Sequence, residues 1–84
     1  MNKKIDGVNY SIRKIKVGEM LPLLPRFEKE TLEVQREMVS ICVSVNGEII
    51  GDGVDELDWQ SYSVLSQAVL IANGFPIEEE VGNE

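Results

Sequence analysis

The chain has 84 residues, 43% of them apolar, and a formal net charge of −7; a chain this short buries about 60–65% of its unfolded surface, enough for one domain with a thin core. It contains no histidine and one cysteine, Cys42, which excludes Ser-His-Asp and Cys-His nucleophile pairs, imidazole acid–base chemistry and a structural zinc site. Gly47, Gly51 and Gly53 lack the spacing of a phosphate- or dinucleotide-binding loop, so no enzymatic activity, cofactor or metal is expected.

Residues 5–17 read as a β-hairpin or edge strand. Val8, Tyr10 and Ile12 alternate with Asn9, Ser11 and Arg13, the period of a half-buried strand, and Asp6-Gly7 is a two-residue turn signal. Ile15 and Val17 fall out of phase with that set, so a bulge near Arg13-Lys14 is expected, with Arg13, Lys14 and Lys16 on an exposed edge. Gly18-Glu19 opens a short helix containing Met20, Leu21, Leu23 and Leu24; Pro22 fits its first turn and Pro25 redirects it. This apolar run is either a core-covering turn of helix or an exposed docking patch.

The main helix is expected from Phe27 to about Val45. Val34, Met38, Ile41, Cys42 and Val45 form one apolar stripe, with Leu32, Val39 and Val43 a second, smaller one. Cys42 reads as a small core residue. Ile41, Val43 and Val45 also alternate, and Asn46-Gly47 before Glu48-Ile49-Ile50 is a hairpin signature. The stripe's reach back to Val34 favours the helix, with Gly47 ending it. Residues 46–57 then read as an acidic, solvated connector; Ile50 and Leu57 stand where a calcium loop starting at Asn46 would need oxygen ligands.

The last helix has the clearest boundaries. Asp58 is an N-cap, Leu57 and Tyr62 sit at the positions of a hydrophobic staple, and Tyr62, Leu65, Val69 and Ala72 face inward. Asn73-Gly74 ends it, with Phe75 folding back on Leu70 and Pro76 blocking continuation. Trp59, Val64 and Ile71 form a surplus apolar set. The reading is therefore an α+β fold, an N-terminal β-hairpin or strand packed on a small bundle of two to three helices. Residues 1–76 make the domain and 77–84 a disordered acidic tail.

Every Lys and Arg lies at or before Arg36, giving residues 1–36 a net +3 and residues 37–84 a net −10. Such a split marks a partner surface, head-to-tail self-association or an internal basic-to-acidic contact. Arg13, Lys14 and Lys16 are too few for nucleic-acid binding in a net-negative chain. No apolar stretch approaches the roughly 20 residues of a membrane span, and no apolar segment follows Lys3-Lys4 as in a signal peptide. With a lone cysteine, the cytoplasm is the expected location.

Three stretches resemble the small tail-assembly chaperones of long-tailed bacteriophages and prophages. They are VNYSIRKIKVGE (8–19), SICVSVNGEIIGDGVDELD (40–58) and DWQSYSVLSQAVLIANGF (58–75). Leu57-Asp58 stands where that family frequently has Leu-Pro. The resemblance implies binding of the tape-measure protein, or another tail protein, in the cytoplasm of a bacterial host, and brings no catalytic residues. Met20, Leu23, Leu24, Leu32, Val39, Trp59, Val64 and Ile71 are the candidate partner-binding residues. Two other readings compete: an acidic inhibitor or DNA mimic that occupies a basic partner surface, and a homo-oligomer joining basic strand to acidic loop.

Overall fold

Two glycine turns organise the sheet in the computed structural model, which describes residues 1–75. Asp6 and Gly7 (φ 51° and 81°) and Asn46 and Gly47 (φ 55° and 82°) all lie in the left-handed region, as a type I′ hairpin requires at both central positions. The first turn joins β1 (Asn2–Ile5) to β2 (Val8–Ile12), and the second joins β3 (Val43–Val45) to β4 (Glu48–Ile49). The four strands are antiparallel in the order β1-β2-β3-β4, with Tyr10 opposite Val45 and Ile12 opposite Val43. Alternation then puts Ile5, Val8, Tyr10, Ile12, Val43 and Val45 on one face and Asn9, Ser11 and Ser44 on the other.

No bulge carries the strand past Ile12. Instead the Arg13 N–H donates to the Cys42 carbonyl (3.0 Å) and the chain turns into α1 (Val17–Met20). Val17 is exposed, so its facing needs no correction. Arg13 does not decorate an edge either: its guanidinium donates to both Glu19 carboxylate oxygens at 3.0 and 2.8 Å. That contact and the Lys16 N–H hold the Glu19 carboxyl down at about 2. A second short helix, α2 (Leu24–Phe27), follows with Pro25 in its first turn.

The long helix predicted over 27–45 is shorter than expected at both ends. α3 spans Thr31–Cys42, and Val43 is already extended (φ −105°, ψ 133°). Val34, Met38 and Cys42 keep the predicted stripe and are buried, but Val43 and Val45 belong to β3. The β-branched residues at 41, 43 and 45 satisfied both periods. The strand prevails because the Asn46-Gly47 turn gives β3 one neighbour and β2 gives it another. Gly47 thus makes a hairpin turn and is no helix cap. The supposed connector is likewise folded, into β4 and a 3₁₀ helix (Gly51–Glu56).

α4 (Trp59–Ala72) starts and stops as its sequence dictates. Asp58 accepts hydrogen bonds from the Ser61 N–H (3.1 Å) and hydroxyl (2.7 Å). At the other end Gly74 takes φ 81°, and the Phe75 N–H reaches back to the Leu70 carbonyl (2.9 Å), closing a Schellman motif. Phe75 stacks on Phe27, ring centroids 5.7 Å apart. Met38, Leu65, Val34, Val39, Val43, Val69 and Cys42 are fully buried where the apolar sheet face, α3 and α4 meet. Among the described residues no helix is long and apolar enough to cross a membrane. The tail expected at 77–84 lies outside the described residues.

Candidate functional site

The surplus apolar residues do not share one fate. Val39 and Leu23, both expected at a partner surface, are core residues, 1% and 5% exposed. Val39 sits on the flank of α3 closed over by neighbouring elements. Leu23 points in because the α1–α2 turn, tied by the Leu23 N–H to the Met20 carbonyl, rolls that side chain inward. Met20 is half-buried beside it, while Leu24 stays exposed. On α4, Trp59, Val64 and Ile71 are all exposed, but not as one stripe. A spacing of five residues puts Trp59 about 140° around the helix from Val64, whereas Ile71 lies almost directly in line with it.

Leu32 and Trp59 come together. Both line an open groove of about 410 Å³, with Arg36, Val54, Asp55, Leu57 and Tyr62 completing its walls. Local rules build each wall. Leu32 and Arg36 are one turn apart on α3, so they face the same way. The 3₁₀ helix directs Val54 into the core and leaves Asp55 at the rim. The Asp58 cap fixes the first turn of α4, where Trp59 and Tyr62 contact each other (5.7 Å between centroids, planes tilted 34°). Leu32 is 75% exposed and Trp59 76%.

A forked ion pair holds the groove's two sides together. Arg36 Nε donates to Asp55 Oδ1 (2.8 Å) and Nη2 to Oδ2 (2.6 Å). The pairing lowers the Asp55 carboxyl below its ordinary range and raises the guanidinium, which Asp52 and Glu33 raise further. Burial pushes the Tyr62 phenol up. Only Leu32 and Trp59 of this site were singled out as partner-binding. Leu57 and Tyr62 were legible as a helix staple, but nothing local announces that Arg36 meets Asp55, 19 residues away.

The groove is lined mainly by apolar side chains, with one ion pair at its edge. Among the described residues no three Cys, Asp or Glu side chains converge as a metal site, and every buried side-chain polar atom has a hydrogen-bond partner. Burial raises the Cys42 thiol, which makes it a poor nucleophile. Comparison with family models, curated proteins and solved structures finds no match to this chain.

Proposed function

We propose that the chain is a non-catalytic binding protein, a tail-assembly chaperone that holds an apolar helical segment of the tape-measure protein until the tail tube forms around it. The observation that carries the binding role is the meeting of Leu32 and Trp59, each about three-quarters exposed, over one apolar groove. Exposed aliphatic residues scattered singly need no explanation, but an exposed tryptophan on a groove that also carries Tyr62 and Arg36 is the kind of anchor that dominates protein interfaces, and Leu32 adds apolar area beside it. A groove between helix starts suits an amphipathic helix laid across it. The resemblance of 8–19, 40–58 and 58–75 to phage tail-assembly chaperones supplies the identity of the partner.

The test is co-expression with the tape-measure protein encoded in the same tail-gene cluster. The wild-type chain is expected to yield a soluble complex. Leu32→Ala and Trp59→Ala are expected to lose it while keeping the wild-type circular dichroism and melting temperature. A tape-measure protein equally soluble with and without the chain would overturn the reading. So would capture of a basic partner that vanishes at moderate salt and ignores Trp59→Ala, the behaviour of an acidic inhibitor or DNA mimic.

A further inference from the structure

Resting on that reading, we infer that the groove selects a cationic amphipathic helix, one whose apolar anchors fill the space between Leu32 and Trp59 and whose flanking Lys or Arg side chains meet an acidic rim. The lining is largely apolar: Val54, Leu57 and Tyr62 share it with the two exposed anchors. The rim is not neutral. Asp55 lines the groove, Asp52 and Glu33 stand near enough to act on Arg36, and Glu33 lines the depression beside the groove. Arg36 and Lys29 are the cations that line the groove and the depression beside it, and Arg26 beyond them is taken up by Glu30 and Glu37. Arg36 is committed to Asp55 through both hydrogen bonds of the fork, and Lys29 lies beyond Leu32, in a shallow depression with Glu30 and Glu33.

The helix starts do not reverse this balance. The N-terminal ends of α3 and α4 each carry about half a positive charge. Glu33 in the first turn of α3 and the Asp58 cap of α4 already answer them. A partner helix with acidic flanks would bring like charges together at a rim its own apolar face is desolvating. A basic one gains attraction that is strengthened by the same exclusion of water. Asp55 keeps 61% of its side chain exposed while paired, so it can accept a second cation without releasing Arg36.

Trp59 is the sole tryptophan, so its emission reports directly on groove occupancy in the full-length chain. Three helical peptides lacking tryptophan, with one shared Leu/Ile face and flanks of Lys, Gln or Glu, are titrated by fluorescence. The Lys peptide is expected to shift Trp59 emission to the blue and to bind about tenfold tighter than the Gln peptide, with the Glu peptide weakest. That advantage should shrink at about 0.5 M salt, and in the double variant Glu33→Gln, Asp52→Asn. Equal affinities for the three peptides would overturn the selection of charge and leave the docking groove standing. A Lys peptide that binds as well with its apolar face replaced by Ser would overturn the amphipathic requirement. Absence of any emission change with all three peptides would overturn the groove reading itself, and this inference with it.

Discussion

Helices α3 and α4 both carry more apolar side chains than one core-facing stripe requires, and they dispose of the surplus in opposite ways. On α3, Val39 is buried alongside Val34 and Met38, and only Leu32 in the first turn remains outside. On α4, Trp59, Val64 and Ile71 are all exposed, while Leu65, Ala68 and Val69 fill the core. Layering explains the contrast. α3 packs against α2, α4, the 3₁₀ helix, β3 and β4, whereas α4 packs chiefly on α3 and β2. A central helix absorbs a second apolar flank, and a peripheral one displays it. Surplus hydrophobicity therefore points to function only on the helix with fewer neighbours, or at the one turn where the central helix escapes its cover.

The contrast is broken most directly by a matched pair of charges. Val39→Asp places an unpartnered carboxylate in the core and should cost more than about 4 kcal/mol, a large part of the roughly 5–15 kcal/mol that holds such a domain together. Val64→Asp on the outer flank of α4, where the residue is 38% exposed, should cost only about 1 kcal/mol. Urea denaturation followed by circular dichroism reads both, and similar midpoints for the two variants would abolish the distinction.

A smaller effect tests what covers α3. Gly47 lies at φ 82° in the turn that brings β4 back against it, and Gly18 has no positive φ and open space around its α-carbon. Gly47→Ala should cost about 1–2 kcal/mol and lower the melting temperature, whereas Gly18→Ala should hold or slightly raise it.

The smallest effect concerns pH. Glu19 is held near 2, below its ordinary value of 4.5, first by the Arg13 side chain and then by the Lys16 N–H. A depressed carboxylate stabilises the fold fully above its unfolded value, and that contribution is lost as pH falls through its folded one. The wild-type melting temperature should thus fall through the window from 4.5 to 2 more steeply than that of Glu19→Gln. Parallel curves would remove Arg13–Glu19 from the anchoring of α1.

What was legible in the sequence was whatever is decided within a few residues. Asp6-Gly7, the Asp58 cap and the Asn73-Gly74-Phe75 ending each carry their conformation in their own chemistry, and the structure places all three as read. The end of α3 was not legible, because the β-branched residues at 41, 43 and 45 fit a helix stripe and a strand equally well. The decision falls to β2, which pairs Tyr10 and Ile12 with Val45 and Val43 from more than thirty positions away. Leu23 and Leu24 illustrate a different limit. Adjacent residues in a proline-punctuated turn point apart, one into the core and one to solvent, and no period exists there to say which. The groove combines both difficulties: its aromatic side is local to the start of α4, and its charged clamp joins α3 to the 3₁₀ helix.

One polar residue near the end of the described chain has a consequence for the timing of synthesis. Asn73 accepts a hydrogen bond from the Ile15 N–H (2.7 Å) while its own amide donates to the Val69 carbonyl (2.8 Å). The segment leaving β2 is thereby pinned by a residue 58 positions later, and β2 itself waits for β3. On the ribosome the first hairpin can form early and β3 can pair with it next, but the Asn73 tie and the α4 side of the core close only once α4 has emerged. The last helix therefore locks a segment laid down near the start of the chain, and a chain stopped short of Asn73 would lack the tie that holds Ile15.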